Sequence, residues 1–252
     1  MSQRQLYSDI MAGSQPLGLL SCGYARIPPA VMLASPRSVH LTSRQLVITA
    51  PEMDLHLAKY IDDLYEQGRA HDAGKPDRLD RLRNLEPDTA RLLAVLVRAT
   101  AARRLLELGT SNGFSTLWLA DAARSIDGRV VSVELDPVRG AQALAHLSAV
   151  KLDAFVELRT EDAAQTLKGS ADAAWDMIFL DAERPAYVGY WPDLLRVLKV
   201  GGLLVVDNVL SHADELRDFR QLVAEDLRVS EALAPTGAGA LLIVKQAANV
   251  RS

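Results

Sequence analysis

Leu105-Leu106-Glu107-Leu108-Gly109-Thr110-Ser111-Asn112-Gly113-Phe114-Ser115 is the stretch around which the chain is organised. An apolar run ends in an acid, a turn holds Gly109 and Gly113, and Phe114-Ser115 opens a helix that Thr116-Leu117-Trp118-Leu119-Ala120 continues. This reads as strand, loop and helix with small residues at the bend, and such a loop lets a ligand touch backbone. In a parallel sheet the crevice beyond the first strand's carboxyl end receives nucleotide-like ligands, and the helix N-terminus offers free N–H groups and a positive dipole end. The glycine spacing then selects among nucleotides. A dinucleotide fingerprint needs glycine at 111 and glycine or alanine at 114; Ser111 and Phe114 stand there, which disfavours a nicotinamide cofactor.

Working outward, the chain alternates strand and helix. The pattern predicts a first strand over Arg103–Leu108, a helix over Phe114–Ala123, and a second strand over Arg129–Glu134 entered through Asp127-Gly128. A helix over Pro137–Val150, a third strand near Phe155–Leu158, a short helix after Asp162 and a fourth strand over Met177–Leu180 follow. Tyr187–Leu198 is the next helix, Gly201-Gly202 turns into a fifth strand over Leu203–Val206, and another helix lies near Asp214–Ala224. Arg228–Leu233 and Ala240–Lys245 form a closing hairpin. Upstream, Pro87 starts a helix whose Leu92, Leu93, Val95, Leu96 and Val97 pack on the sheet. Before it, Met53, Leu57, Tyr60, Ile61 and Leu64 recur at helical spacing from Pro51. Gly68 to Pro76 reads as a loop, and the basic stretch Arg78–Asn84 as a solvated surface, with a lid over the substrate as the alternative. These βα units predict an α/β fold: a doubly wound, Rossmann-like, mostly parallel sheet with a C-terminal antiparallel hairpin.

The 252 residues suit one large α/β domain over 49–252. Residues 1–48, with Pro16, Pro28, Pro29 and Pro36 and no sustained period, read as an N-terminal arm or tail. Leu19-Leu20-Ser21-Cys22 is faintly similar to a lipoprotein cleavage box, but Asp9 and Pro16 interrupt the leading segment. An upstream translational start, or an arm that orders against a partner subunit, are the other readings. The 28 basic and 32 acidic residues leave a charge of −4, which points away from a nucleic-acid footprint. The single cysteine, Cys22, excludes an intramolecular disulfide and a thiolate zinc site and suggests a reducing, cytoplasmic compartment. No run approaches the roughly 18 apolar residues of a membrane span.

Chemistry collects at the strand ends. Glu134 closes the second strand, where an acid can accept from both ribose hydroxyls; a surface acid beside a turn is the alternative. Asp162-Ala163 follows the third strand and could meet an adenine, the carboxylate accepting from the exocyclic amine; Asp162 is equally suited to cap a helix. Asp181 and Asp207-Asn208 follow two apolar runs expected to lie side by side, bringing two carboxylates and an amide oxygen into one crevice. Like charges so close need compensation. A hard divalent cation supplies it, Mg²⁺ first and Ca²⁺ or Mn²⁺ as alternatives.

The loop Glu107-x-Gly109-x-x-x-Gly113 resembles motif I of the class I S-adenosylmethionine-dependent methyltransferases. With Phe114-Ser115, Val133-Glu134, Phe179-Leu180-Asp181-Ala182, Tyr187, Gly201-Gly202 and Val206-Asp207-Asn208-Val209, the region from about Pro51 to Lys245 resembles the cation-dependent O-methyltransferases. That group includes the catechol and caffeoyl-coenzyme A O-methyltransferases, and the likeness is greatest to its small bacterial members. The resemblance implies a seven-stranded sheet with one antiparallel strand, and a homodimer. It implies that Asp181, Asp207 and Asn208 bind the metal and Glu134 the ribose. Glu107 with the turn of Gly109, Thr110, Ser111 and Gly113, and Ser115, would serve the methionine end of S-adenosylmethionine; Asp162 and Ala163, with Asp181 nearby, would complete the cofactor site.

The implied reaction moves the methyl group to a hydroxyl of a small aromatic acceptor, a vicinal dihydroxy aromatic suiting the cation best. Asp181 and Arg184 are the candidate catalytic residues. The family usually has lysine, taken as the base, where this chain has Arg184. Arginine stays protonated, so its expected role is to stabilise the phenolate. Glu183 is an alternative base, and Glu161 stands where relatives often have glycine. A cofactor-binding protein with lost or altered activity, and a metal-independent methyltransferase for another acceptor, are the competing readings. With 5% aromatic residues the chain offers no stacking platform for RNA.

Overall fold

A computed structural model describes residues 53–77 and 80–247. The reading of residues 1–48 as an arm falls outside these described residues. Seven helices and seven strands are described. The helices are α1 (Leu55–Ala73), α2 (Pro87–Thr100), α3 (Phe114–Arg124), α4 (Pro137–Ala149), α5 (Ala163–Gly169), α6 (Tyr187–Val197) and α7 (Arg217–Glu225). The strands are β1 (Arg104–Leu108), β2 (Arg129–Glu134), β3 (Val156–Thr160), β4 (Trp175–Leu180), β5 (Leu198–Val206), β6 (Val229–Ala234) and β7 (Ala240–Lys245). They form one sheet in the order β3-β2-β1-β4-β5-β7-β6, in which β7 runs antiparallel to both neighbours and the other pairs are parallel. The expected doubly wound sheet with a closing hairpin is what the chain forms.

Both sheet faces are buried, which is why the central strands read as continuous apolar runs. Leu105, Met177, Phe179, Leu203 and Val205 face the layer of α1, α2, α3 and α4. Leu106, Leu108, Ile178, Leu180, Leu204 and Val206 face α5, α6 and α7. The period of two along each strand thus sorts side chains into two cores. Truncating a fully enclosed member such as Leu93 or Ile178 to alanine is the kind of change that costs about 2–5 kcal/mol.

Two boundaries depart from the sequence reading. α1 continues through Gly68 to Ala73, where a loop was expected, because Gly68 is a packing glycine: a Cβ there would stand 2.3 Å from Asn84 Nδ2. β5 begins at Leu198, ahead of Gly201-Gly202. Its register against β4 jumps between Trp175 and Met177, and the slack is taken up at Gly201 with φ +75°. Among the described residues no helix is long and apolar enough to cross a membrane.

The register places the site. Leu108 is paired with both Val133 and Leu180, and Leu180 with Val206, so these strands end at one level. The ladder runs a step further: Gly109 N–H donates to Val133 O (3.0 Å), Asp181 N–H to Leu108 O (2.9 Å) and Asp207 N–H to Leu180 O (3.2 Å).

Candidate active site

A cavity of about 810 Å³ opens over the carboxyl ends of β1, β2, β4 and β5. Gly109, Thr110, Ser111, Asn112 and Ser115 line it from the β1–α3 loop. Gly109 is required by close approach: at φ +104° a Cβ would fall 2.1 Å from the carbonyl oxygen of Asp181. Gly113, at φ +86°, lets the start of α3 pack on α4, since its Cβ would meet that of Ala143 at 2.8 Å.

Glu107 does not line the cavity. It lies on the α3 side of β1 and is fully buried. Its carboxylate accepts Ser115 Oγ (2.5 Å), Thr116 Oγ1 (2.5 Å) and Ser132 Oγ (2.6 Å), the last from its register partner in β2. Thr110 Oγ1 and Ser132 Oγ share a further bond of 2.5 Å. Burial pushes the carboxyl up to about 7 against the pull of these three hydroxyls. Glu107 thus stands behind the loop and not on the cavity wall, and the hydroxyl of Ser115 is turned to it. The sequence reading passed over Asn112. It is 2% exposed on the cavity wall, and neither polar atom of its amide has a partner.

Glu134 lines the cavity beyond β2, its Oε2 accepting Ser111 N–H (2.7 Å) and its Oε1 accepting Asp136 N–H (3.0 Å). Each oxygen keeps acceptor capacity for a ligand hydroxyl. Asp162 caps α5 by accepting Ala164 N–H at 2.7 Å, and with Glu161, Ala163 and Tyr190 it forms the same end of the cavity. The cap and the cavity position coexist in one side chain.

At the opposite end the structure brings Asp181, Asp207 and Asn208 together. Asn208 Nδ2 donates to Asp181 Oδ1 (3.0 Å) and to Asp207 Oδ2 (2.9 Å). The amide nitrogen of Asn208, and not its oxygen, faces the two carboxylates. Burial pushes both carboxyls up, joined for Asp207 by the charge of Asp181. Asp207, 4% exposed, keeps one oxygen buried without a partner, an arrangement that costs about 1–3 kcal/mol or more unless something fills it. A hard cation fits that oxygen and would need the amide oxygen of Asn208 turned inward. Among the described residues no group of three or more His, Cys, Asp or Glu side chains is placed to hold a metal.

Arg184 is 4% exposed on the wall beside this pair; its Nε donates to Glu215 Oε2 at 2.8 Å, and Nη2 is buried without a partner. Glu183 lies exposed at the same rim. Tyr187, enclosed against Phe219, donates its hydroxyl to Ala182 O at 2.9 Å and so fixes the turn after Asp181. The wall facing them comes from the end of α1 and residues 81–86, overlapping the stretch Arg78–Asn84 for which a solvated surface and a lid are the two sequence readings. Arg83 stands there with Nη2 3.7 Å from Glu183 Oε1.

A sequence profile of O-methyltransferases matches residues 69–246, more than half of the chain and every strand just described. The chain belongs to the O-methyltransferase family. It is 35% identical over 130 residues to a catechol O-methyltransferase of Niastella koreensis, an alignment covering 50% of this chain and 58% of that protein. The chain therefore spans little more than half the length of that relative. Among solved structures it is similar to the Bacillus cereus O-methyltransferase in complex with SAH, with 25% identity, a TM-score of 0.63 and 79% and 94% of the two chains covered. It is likewise similar to the O-methyltransferase TomG of Streptomyces achromogenes in complex with SAM, with 26% identity, a TM-score of 0.62 and 78% and 92% covered.

Proposed function

We propose that this family member is a divalent-cation-dependent enzyme that moves the methyl group of S-adenosylmethionine to a hydroxyl of a small aromatic acceptor, a vicinal dihydroxy aromatic fitting best. The observation that carries the reading is one cavity lined both by a glycine loop and by an acidic pair holding an unsatisfied oxygen. When bound, S-adenosylmethionine supplies a methyl group on a sulfonium sulfur, and a divalent cation lowers the pKa of an acceptor hydroxyl. Glu134 would take the ribose hydroxyls, Asp162 and Ala163 the adenine, and Gly109, Thr110, Ser111, Asn112 and Gly113, backed by Ser115 and Glu107, the methionine end. Asp181, Asp207 and Asn208 would hold the cation; their hard oxygens suit Mg²⁺ first, with Ca²⁺ and Mn²⁺ as alternatives. Arg184 stays protonated and takes no proton; from the cavity wall it stabilises negative charge on the acceptor oxygen. The family resemblance adds a homodimer to this reading and the lone Cys22 adds a cytoplasmic setting, with no nucleic-acid or membrane partner.

One observation favours a second reading. Asn208 Nδ2 already bridges the two carboxylates, and with Arg83 and Arg184 nearby it offers compensation without a cation. That arrangement suits a cation-independent methyltransferase, or a cofactor-binding protein whose transfer activity is lost or altered. Titration with Mn²⁺ followed by electron paramagnetic resonance separates the two. The cation-dependent reading predicts a single saturable site in the wild type that Asp207→Asn weakens at least about tenfold; no saturable site in the wild type supports the second reading.

A further inference from the structure

One carboxylate anchors Leu82 and Arg83, beyond α1. Asp72, in the last turn of α1, accepts the backbone N–H of Leu82 at 2.7 Å and that of Arg83 at 2.8 Å. Two consecutive N–H groups converge on it because Arg83 takes a left-handed conformation, φ +53°, as in an anion-binding nest. Such a conformation costs a non-glycine residue about 1 kcal/mol or more, so it persists because something holds it. Partial burial pushes the Asp72 carboxyl up, but hydrogen bonds from His71, Leu82 and Arg83 outweigh this and hold it below its ordinary range. The nest is thus filled by a full negative charge at neutral pH.

The same strap is tied to the cofactor loop. Ser111 Oγ donates to Leu82 O at 3.1 Å, and Arg139 Nη2 to Arg81 O at 3.4 Å. So seated, the strap turns the Arg83 guanidinium into the cavity, 3.7 Å from Glu183 and on the wall facing Asp181.

We infer that Asp72 is a positioning residue for methyl transfer: by seating residues 81–84 it sets where Arg83 stands against the acceptor end of the cavity. The inference rests on the reading of this cavity as a methyltransferase site. Asp72 itself touches no reacting atom and acts through Arg83.

A double-mutant cycle on the full chain tests it, with S-adenosylmethionine, Mg²⁺ and 3,4-dihydroxybenzoate as probes. Asp72→Ala should raise the acceptor KM about tenfold, while S-adenosylhomocysteine affinity, read by calorimetry, changes less than about threefold. In an Arg83→Ala background the same substitution should change KM less than about twofold, although it lowers the melting temperature equally in both backgrounds. Equal KM losses in both backgrounds overturn the proposal, because Asp72 then acts on the fold and not through Arg83. If the wild type shows no turnover, the methyltransferase reading fails by itself and a crystal structure of Asp72→Ala decides the positioning claim. Arg83 displaced from Glu183 with the remaining cavity unchanged supports it; Arg83 left in place overturns it.

Discussion

Glu107 shows what a single residue does in this fold. An acid at the penultimate position of a buried strand reads naturally as a ligand contact, yet its side chain points to the α3 face, where three hydroxyls and the N-terminus of α3 receive it. It locks the first turn of α3 to β1 and β2, and so holds the glycine loop rigid from behind. Burial raises its carboxyl to about 7 from an ordinary value of 4.5, so the folded chain binds that proton more tightly than the unfolded chain. The contribution is complete below the unfolded value and is lost as pH rises through the folded one. Glu107→Gln keeps the shape without the titration. Thermal melts from about pH 5 to about pH 8 should show the wild type losing ground to the variant, by up to roughly 1.4 kcal/mol per pH unit inside the window. A difference that stays constant across that range contradicts this account of Glu107.

At the scale of elements, the strands are pinned at their beginnings as well as their ends. Asp176, second in β4, accepts the N–H groups of Arg103 and Arg104 at 2.9 Å each, and also pairs with Arg104 Nη2 (3.1 Å) and Lys199 Nζ (2.9 Å). Burial works against the charged form, but Lys199 and Arg104 prevail and hold the carboxyl at about 2. Its stabilisation is present above the ordinary value of 3.8 and disappears as pH falls through that value towards 2. Asp176→Asn should therefore lower stability at neutral pH by roughly 1–3 kcal/mol, and the gap should close on acidification to about pH 2. Chemical denaturation at several pH values checks both statements. The strands and the order of elements were legible because buried parallel strands announce themselves as apolar runs. Gly68 and Gly201-Gly202 misled for a physical reason: a glycine reads as a break whether it turns the chain or, as at Gly68, makes room for a neighbouring side chain.

For the molecule as a whole, legibility follows sequence distance. Gly109, Glu134, Asp181 and Asp207 were readable as neighbours in one crevice because each directly follows or ends a strand whose end the apolar pattern fixes, and the register then brings them to one cavity rim. The orientation of the Asn208 amide, the enclosure of Glu107 and the Asp72 nest were not readable, because each depends on side-chain partners supplied by other elements. The cavity wall around Arg83 belongs to this second kind. The measurement that tests the central claim most directly is transfer of labelled methyl from S-adenosylmethionine to 3,4-dihydroxybenzoate, with Mg²⁺ in one tube and excess chelator in the other. Labelled product that forms with Mg²⁺ and disappears with chelator is the predicted result. Equal product in both tubes contradicts the cation's role, and no product in either, with S-adenosylhomocysteine still bound, contradicts the acceptor chemistry assigned to the Asp181, Asp207 and Arg184 end of the cavity.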